Sequence, residues 1–410
     1  MSERPIVVMK FGGTSVADEH GRSALSRRVQ AAIELGQAPV VVVSAMGRSG
    51  APYATDTLLH LIDALPADDR ERDMLASAGE LISAALIAAR LRGAGIEAVS
   101  FSGAQAGIFT DADHGQAKII GIDPAALSTA IEAGRTPVVA GFQGIAPDGS
   151  VSTLGRGGSD TTACALGVAL GAAAVEIYSD VDGVMSADPR ACDSAGVLDV
   201  IGAEELCEMA RHGSRIVHTP AAELALSSGI DVRVRSTFSN HPGTRVTDMR
   251  VYAPAGVATA VSHVDGITRF IVQLPGLEGT REHMRAQAIV YRSMADARVS
   301  LDMFTPLSGS LVFTVREESV VNASAVLESL GLSFDVRHGL AKVTLVGAGM
   351  HGVPGVMAAM AEYLAESDVA ILQTADSHTT ISVLVDRSHA PKAVAALHRG
   401  FGLETNHPEG

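Results

Sequence analysis

Residues 5–15 read PIVVMKFGGTS, a short apolar run that ends in two glycines and two hydroxyl side chains. An apolar run of this length before a glycine turn predicts a buried strand that leads into a helix. The glycines let backbone amides approach an anion, Thr14 and Ser15 add hydroxyl donors, and Lys10 brings a positive charge to the strand end. The pattern predicts a phosphate cradle. An ordinary glycine turn with a helix cap is the plainer alternative.

Similar apolar runs recur up to about residue 245 and alternate with segments of helical pattern. Predicted strands after the first are APVVVVSAMG, EAVSF, TPVVAGFQG, AVEIYSDVDGV and IDVRVRSTF, and predicted helices cover residues 17–36, 71–93, 126–134, 159–170 and 203–212. Continuous apolar strands indicate a parallel sheet that is covered on both faces. Because glycine turns follow several different strands, we expect an α/β fold with a doubly wound αβα sandwich and not a barrel.

The pattern changes after residue 245. Residues 246–263 are rich in turn formers and polar groups, which predicts a linker. Beyond it, residues 264–338 and 339–410 repeat the order strand, helix, strand, strand, helix, with ITRFIVQL opening the first copy and AKVTLVGAG the second. This order is typical of the ferredoxin-like unit. We therefore predict a catalytic domain over residues 1–245 and, after the linker, two small domains that form a regulatory module.

Composition excludes several classes of protein. A formal net charge of -15 argues against a nucleic-acid surface, which needs a basic stripe. The chain has 3 cysteines, and their spacing fits neither a disulfide framework nor a zinc site, which favours a reducing compartment. The N-terminus lacks the pattern of a signal peptide, and we expect no apolar stretch long enough to cross a bilayer. These features predict a cytoplasmic protein.

A second glycine cluster, residues 155–162, reads GRGGSDTT. Arg156 offers a planar fork that matches a carboxylate, and Ser159 and Asp160 are good residues to begin a helix. Asp160 has a plausible second role, which is to hold Lys10 in register. The alternative is a capped helix that follows a flexible hairpin, although two such glycine clusters in one chain make coincidence a poor explanation.

Polar residues also follow other predicted strands, where an α/β sheet gathers its ligand groups. Residues 179–184, SDVDGV, can face a nucleotide, and Arg190 can reach its phosphates. An acidic surface turn is the alternative. Glu80 can accept a substrate ammonium and Thr55 a carboxylate, although a glutamate in such a place is more often solvated. For Mg²⁺ we expect the nucleotide phosphates to be the main ligands, with no dedicated metal cage in the protein.

These motifs occur in an order that resembles the aspartate kinases of the amino-acid kinase family. The matching stretches are KFGGTSV, VVVSAMG, GFQG with TLGRGGSDTTA, and SDVDGVMSADPR, and the resemblance covers essentially the whole chain. The two C-terminal units resemble ACT domains. The resemblance implies ATP-dependent phosphorylation of the L-aspartate β-carboxylate to 4-phospho-L-aspartate, the first step toward lysine, diaminopimelate, threonine and methionine. It also implies feedback inhibition by an amino acid and a homodimer or larger homo-oligomer formed through the ACT domains.

Residue roles follow from the resemblance. Lys10 is implied to stabilise the phosphates and Asp160 to organise the catalytic positive charge. The implied aspartate contacts are Ser44, Thr55, Glu80, Phe142, Arg156 and Ser159. The implied nucleotide contacts are Lys10, Gly12, Gly13, Thr14, Ser15, Ser179, Asp180, Met185, Arg190 and Arg215. The implied effector contacts are Met303, Gly352, Val353, Pro354, Gln373, Thr374 and Ser377.

Several alternatives stay open. SGAPYATDTLL, VRVRSTFSN and LQTADSHTTI resemble the diaminopimelate-inhibited class, but lysine and threonine are also candidate effectors. Met185 replaces a frequent aromatic residue of the family, and Thr219 replaces a proline, which bears on nucleotide contacts. Residues 347–352, GAGMHG, match a dinucleotide fingerprint, yet they lie inside a repeated ferredoxin-like unit and Pro354 opens the next helix. Rival functions are a related carboxylate kinase and a catalytically inactive amino-acid sensor.

Overall fold

The computed structural model describes residues 4–155, 157–213, 228–247, 256–276, 278–350 and 352–404. The chain divides into two compact units. The first unit comprises Met1–Val184, Val197–Ala210 and Arg215–Ala253, and the second comprises Met185–Gly196, Arg211–Ser214 and Pro254–Gly410. The segment Met185–Gly196 therefore lies inside the predicted catalytic region of the sequence but packs with the second unit. No sequence pattern indicated that this segment packs with the second unit.

Twelve strands of the first unit are described, and they form two sheets. They are β1 (Ile6–Phe11), β2 (Ala38–Val43), β3 (Ala98–Phe101), β4 (Ile108–Thr110), β5 (Ile119–Ile122), β6 (Thr136–Ala140), β7 (Gln143–Ile145), β8 (Val151–Thr153), β9 (Ala174–Ser179), β10 (Val200–Gly202), β11 (Asp231–Ser236) and β12 (Thr244–Thr247). The main sheet has the order β10-β12-β11-β9-β1-β2-β6-β3, and a smaller sheet has the order β5-β4-β7-β8. From β11 to β3 the neighbouring strands are parallel, whereas β12 runs antiparallel to β11.

The helices that connect these strands give the predicted α/β alternation. They are α1 (Gly13–Val16), α2 (Glu19–Glu34), α3 (Thr55–His60), α4 (Asp69–Gly93), α5 (Ala125–Glu132), α6 (Gly158–Ala169) and α7 (Ala203–Arg211). Two of them begin with an aspartate cap: Asp18 accepts a hydrogen bond from the Gly21 amide, and Asp68 accepts one from the Glu71 amide. Such caps satisfy backbone donors that the first helical turn leaves unpaired.

The core of the first unit is aliphatic and lies on both faces of the main sheet. The residues Val40–Val43 of β2 are fully buried, as the continuous apolar run predicted. The parallel register places Phe11 opposite Val43 on one side and Tyr178 on the other. The carboxyl ends of β1, β2 and β9 therefore lie side by side, and the loops that leave these ends are brought to one edge of the sheet.

Helix α4 is the exception to our expectation about apolar stretches. Within the described residues it is the one helix long and apolar enough to cross a membrane by length and composition, but half of its most apolar window is buried inside the protein. Its buried face packs against β3, β6 and β8. That contact explains the composition of α4 as that of a core helix.

The second unit has one six-stranded sheet and four described α-helices. Its strands are β13 (Ala260–Gln273), β14 (Asp302–Leu307), β15 (Ser310–Arg316), β16 (Phe334–Val346), β17 (Gln373–Asp376) and β18 (Thr380–Asp386), and its helices are α8 (Arg281–Asp296), α9 (Val320–Ser329), α10 (Val356–Glu366) and α11 (Ala390–Gly400). The sheet order is β14-β15-β13-β16-β18-β17. Two ferredoxin-like halves, predicted from the repeat, are recognisable in this order.

The two halves share their central strands. The end of β13 pairs with the start of β16 in the first half, where Val272 lies opposite Phe334. The start of β13 pairs with the end of β16 in the second half, where Ala260 lies opposite Val346. The fourth strand position of the second half is thus filled by Ala260–Val264, which precedes the first half in the sequence. Most of this strand falls in the segment predicted as a linker.

Candidate active site

Three strand ends meet in a network of backbone hydrogen bonds in the first unit. The Gly12 amide donates to the Tyr178 carbonyl at 3.2 Å, and the Gly47 amide donates to the Gly13 carbonyl at 3.0 Å. A Cβ added at Gly13 would lie only 2.6 Å from the Gly47 carbonyl oxygen and 2.7 Å from that of Ala45. Glycine is therefore required at position 13 because the β1 turn packs directly on the backbone that follows β2.

Lys10 and Asp160 form an ion pair at this edge of the sheet. The Lys10 Nζ lies 2.7 Å from the Asp160 Oδ1, and the two side chains are 13% and 9% exposed. Lys10 sits near the end of β1, and Asp160 lies in the first turn of α6. A Cβ added at Gly12 would lie 3.8 Å from the Lys10 Nζ. The missing side chain at Gly12 thus leaves the space beside the ammonium open to a ligand.

Cys164 lies one turn after Asp160 on α6 and is fully buried. Burial raises the pKa of this thiol well above its usual range, and the nearby Asp160 carboxylate raises it further. The thiol therefore stays protonated at neutral pH and is no nucleophile.

Glu80 is buried on α4 and is not the solvated helix residue that the sequence left as an alternative. It is 3% exposed, and its Oε1 accepts a hydrogen bond from the Ala45 amide at 3.0 Å. The other oxygen, Oε2, has no hydrogen-bond partner among the described residues. Burial raises the pKa of Glu80 to about 8, although the Ala45 hydrogen bond opposes the shift. A buried carboxyl with a vacant oxygen is suited to a cationic partner.

The turn between β6 and β7, which carries Phe142, packs against the start of α6, which carries Ser159. Phe142 adopts a left-handed backbone conformation with φ of 69°, and its amide donates to the Thr162 hydroxyl at 3.1 Å. A Cβ added at Gly141 would lie 2.9 Å from the Ser159 Cβ, and one added at Gly158 would lie 2.7 Å from the Phe142 ring. The close approach brings Phe142 and Ser159 to the start of α6, beside Asp160.

The other predicted contacts of the first unit lie on loops and short helices that follow the strands. The Ser44 amide donates to the Phe11 carbonyl at 3.1 Å, and Thr55 is the first residue of α3. The Ser15 hydroxyl is buried against that of Thr237 at 2.6 Å. Asp180, next to Ser179 at the end of β9, pairs with Arg48 at 2.7 Å on the surface. No sequence pattern pointed to Arg48, because a lone arginine in a loop carries no signal of its partner.

Four of the predicted nucleotide and substrate residues are not among the described residues of the first unit. Arg156 and Arg215 lie outside the described residues, as does Thr219. Met185 and Arg190 belong to the second unit. There Arg190 makes two hydrogen bonds to the Asp188 carboxylate, at 3.1 and 2.7 Å, and its side chain is 90% exposed.

The predicted effector residues lie in the second unit. Met303 is buried with φ of 46°, and its carbonyl accepts a hydrogen bond from the Gln373 side-chain amide. This bond joins β14 to β17, the two ends of the strand order, so the sheet curls until its edges meet. An ion pair between Lys342 and Asp302 lies beside it.

The remaining effector positions are in two loops and one strand. Thr374 is exposed on β17, and the Ser377 hydroxyl lies 2.8 Å from that of Thr380 at the following turn. Gly352, Val353 and Pro354 are exposed before α10. The structure thus joins Met303 to Gln373 directly.

Within the parts of the chain that are described, no group of three or more His, Cys, Asp or Glu side chains could hold a metal ion. The acidic groups nearest the strand ends are paired: Asp160 with Lys10, and Asp180 with Arg48.

Comparison with known proteins gives a consistent result over the whole chain. Residues 5–236 match the profile of the amino acid kinase family, and residues 335–399 match an ACT domain. Aspartokinase 1 of Bacillus subtilis is 42% identical over 405 residues, which cover 97% of this chain and 99% of that protein.

Solved structures agree with this. The crystal structure of E. coli aspartokinase III in complex with aspartate and ADP matches with a TM-score of 0.75 and 25% identity, and covers 97% of this chain and 100% of the E. coli chain. The same enzyme in complex with lysine and aspartate matches with a TM-score of 0.77 and 25% identity, over 97% of this chain and 99% of the E. coli chain. Both matches span the two units.

Proposed function

This chain belongs to the aspartokinase family, and from that membership we propose that the site around Lys10 transfers the γ-phosphate of ATP to the side-chain carboxylate of L-aspartate. The chain is a kinase, with 4-phospho-L-aspartate and ADP as products. One observation carries the assignment of the site: the Lys10 ammonium is held 2.7 Å from Asp160, beside the open glycine turn that follows β1.

The chemistry needs positioning and charge stabilisation more than proton transfer. An aspartate side chain is ionised at neutral pH, so no general base is required for it to attack phosphorus. The obstacle is the repulsion between a carboxylate and a triphosphate. Lys10 and the amide of Gly13 supply positive charge and a dipole where the transferred phosphoryl group gains charge, whereas the Gly12 amide is bound to the Tyr178 carbonyl.

Asp160 acts on Lys10 and not on the phosphate. A lysine side chain is long and loses rotamer freedom when it is fixed. The nearly buried Asp160 carboxylate holds the ammonium in one place before substrates bind, which is the preorganisation that such catalysis requires. Direct contact between Asp160 and a phosphate would be repulsive, so its role is that of an organiser.

The aspartate subsite uses groups at the ends of β2 and β6 and in the middle of α4. Glu80 has a vacant, buried oxygen and accepts the substrate ammonium. Arg156 takes a carboxylate with its planar fork. The remaining contacts are assigned to Ser44, Thr55, Phe142 and Ser159. Support for this grouping comes from the packing of Phe142 and Gly141 against the start of α6, where Ser159 lies next to Asp160.

The nucleotide subsite extends from the β1 turn to the end of β9. It includes Gly12, Gly13, Thr14, Ser15, Ser179 and Asp180, and we add Met185, Arg190 and Arg215 from the family pattern. Mg²⁺ would be held mainly by the nucleotide phosphates, which fits a site whose carboxylates Asp160 and Asp180 are paired with Lys10 and Arg48. When bound, the ion neutralises phosphate charge.

The ACT region provides control by an amino-acid effector. We assign effector contacts to Met303, Gln373, Thr374, Ser377 and the loop at Gly352, Val353 and Pro354. An effector regulates only if it binds one arrangement of the protein better than another. The bond between Met303 and Gln373, which closes the sheet, is a contact that an effector can replace. Diaminopimelate, lysine and threonine are the candidate effectors.

We further propose a cytoplasmic homodimer or larger homo-oligomer formed through the ACT region. Cys164, Cys192 and Cys207 are all buried and none of them forms a disulfide bond, which suits a reducing compartment. ACT-type sheets present edges and faces that a second copy can cover symmetrically.

The decisive experiment is a coupled assay of ADP release with L-aspartate, with L-glutamate and without acceptor. We expect turnover with aspartate alone, and the Arg156→Ala variant should raise KM for aspartate while KM for ATP stays the same. Adding each candidate effector in turn identifies the inhibitor. Turnover with glutamate would favour a related carboxylate kinase. No turnover, together with tight binding of an effector, would favour an inactive sensor.

A further inference from the structure

Helix α4 presents three polar groups toward the interior at Asp73, Ser77 and Glu80. Their spacing of four and three residues puts them on one face of the helix. All three are buried, with exposed fractions of 2%, 2% and 3%. Glu80 has a role in the proposed aspartate subsite, whereas Asp73 and Ser77 have none so far.

Asp73 is the most heavily bonded of the three. Its carboxylate accepts hydrogen bonds from the Gly115 amide at 3.0 and 3.1 Å, the Thr153 amide at 3.0 Å and the Thr153 hydroxyl. It also lies 2.8 Å from the His114 Nδ1. A buried carboxylate is costly unless every oxygen is satisfied, and here both oxygens have several donors. This arrangement fixes β8 and the loop at residues 114–115 against α4.

The bonds to Asp73 determine where the second glycine cluster begins. Thr153 is the last residue of β8, and the chain then passes through Leu154 into the Gly155-Arg156-Gly157 loop. The Leu154 amide donates to the Phe142 carbonyl at 2.9 Å. A Cβ added at Gly155 would lie 3.2 Å from the Gly115 carbonyl oxygen. The start of the loop is thus enclosed between Phe142 and the Gly115 backbone that Asp73 holds.

Ser77 ties a second part of the same subsite to α4. The Gln143 side-chain amide donates to the Ser77 carbonyl at 3.0 Å, and Gln143 directly follows Phe142. One turn further, Glu80 accepts from Ala45 at the end of β2. One face of α4 therefore sets the relative positions of three chain segments that carry proposed aspartate contacts.

We propose that Asp73 is a positioning residue for the acceptor substrate, which fixes the start of the Gly155-Arg156-Gly157 loop so that Arg156 and Phe142 meet L-aspartate together. The inference rests on the proposed function of that subsite. Asp73 acts through Thr153 and Gly115 and touches neither substrate. Its loss should therefore weaken aspartate binding while the Lys10 and nucleotide groups stay in place.

The test compares Asp73→Asn with the wild-type chain in the coupled assay. Because misplacement by about an ångström can cost on the order of 100-fold, we expect KM for aspartate to rise at least about tenfold. KM for ATP should remain within about twofold of the wild-type value. A purely structural role would lower the melting temperature and the active fraction without this difference between the two KM values.

Asp231→Asn is the matched control. Asp231 also accepts hydrogen bonds from two partners, Arg233 at 2.7 Å and Arg245 at 2.8 Å, and it is the first residue of β11. Asp231 therefore lies at the opposite end of β11 from Ser236, which is paired with Ser179 of the proposed nucleotide subsite. We expect its removal to leave both KM values unchanged.

A second pair of variants covers the case in which Asp73→Asn does not fold. Thr153→Val removes only the hydroxyl that donates to Asp73, whereas Thr153→Ser keeps it. We expect Thr153→Val to raise KM for aspartate and Thr153→Ser to restore it. Wild-type KM for aspartate in both Asp73→Asn and Thr153→Val, or an equal rise in KM for ATP, would overturn the inference. A wild-type chain with no aspartate-dependent turnover would overturn the proposed function itself, and with it this inference.

Discussion

The Lys10 ammonium at the end of β1 and the Asp160 carboxylate in the first turn of α6 lie 2.7 Å apart and are both largely shielded from solvent. Parallel strands that end at one edge of the sheet bring these distant sequence positions together. A nearly buried ion pair of this kind fixes a cation beside an open glycine turn.

Removal of that cation should affect turnover more than binding. We expect Lys10→Ala to lower kcat by about 10²–10³, the range seen when one preorganised charge-stabilising group is lost. KM for aspartate should change little. Lys118→Ala is the control, because Lys118 is exposed. Wild-type kcat in Lys10→Ala, measured by steady-state kinetics, would remove Lys10 from the catalytic machinery.

Glu80 should make the stability of the protein depend on pH. Burial raises its pKa to about 8, so between the ordinary value near 4.3 and 8 the unfolded chain releases a proton that the folded chain keeps. Stability should therefore fall as pH rises through this window. Glu80→Gln lacks this effect. Between pH 5 and pH 8 the melting temperature of the wild type should therefore fall relative to that of Glu80→Gln. Parallel melting curves would contradict the assignment.

Aspartate binding should also release a proton from Glu80. An ammonium placed against the vacant Oε2 stabilises the charged carboxylate and lowers its pKa. Calorimetric titration at pH 7 in two buffers with different ionisation enthalpies measures the released protons. We expect a net release of protons when aspartate binds to the wild type. We expect no release when aspartate binds to Glu80→Gln, measured at concentrations that saturate the variant. Identical proton counts for the two proteins would place the ammonium elsewhere.

Gly13→Ala should push apart the backbones that follow β1 and β2. The new Cβ would lie 2.6 and 2.7 Å from two carbonyl oxygens, and backbone atoms cannot move aside as a side chain can. We expect a loss of about 1–3 kcal/mol in the free energy of unfolding, together with weaker ATP binding. Gly93→Ala is the matched control, since a Cβ at the end of α4 would meet no atom within 4 Å. Denaturant unfolding of both variants checks this.

His398 should make the second unit sensitive to acid. It is fully buried on α11, with Nε2 2.8 Å from the Ser186 hydroxyl and Nδ1 3.3 Å from that of Ser194. Burial lowers the pKa of His398, and Glu404 only partly opposes this. Below a pH of about 6.5 the unfolded chain binds a proton that the folded chain excludes, so stability is lost as pH falls.

His398→Gln removes this titration. When the pH is lowered from 8 to 5.5, the melting temperature of the variant should fall by less than that of the wild type. His389→Gln, at an exposed position just before α11, should follow the wild-type curve. If His398→Gln and the wild type lose stability equally, protonation of His398 does not govern the acid response.

Much of the fold could be predicted from local pattern. The apolar runs that became β1, β2 and β9 are continuous because both faces of the parallel sheet are covered, and the fold class is confirmed. Helix α4 was predicted over residues 71–93 and is observed at Asp69–Gly93, because its long apolar face is an unambiguous signal. The glycine turn after β1 lies at the carboxyl edge of the parallel sheet, where ligand groups gather when parallel strands end.

Features that depend on distant contacts could not be predicted. Asp73 resembles any other acidic residue of a helix, and only its bonds to Thr153 and Gly115 distinguish it. Glu80 was weighed as a solvated residue because helical pattern does not reveal which face is covered. The packing of Met185–Gly196 with the second unit likewise depends on His398, more than two hundred positions further along the chain. The residue roles inherited from the family stay predictions until the variants are measured.

The strand Ala260–Val264 completes a half of the sheet whose other strands are synthesised last. During translation the first ferredoxin-like half can therefore close before its neighbour, while the second half is complete only after residues up to the end of β18 have left the ribosome. A free polypeptide that starts after Val264 would expose an unpaired edge along β16 and invite association with other chains. Any separately expressed regulatory fragment must consequently begin upstream of Ala260.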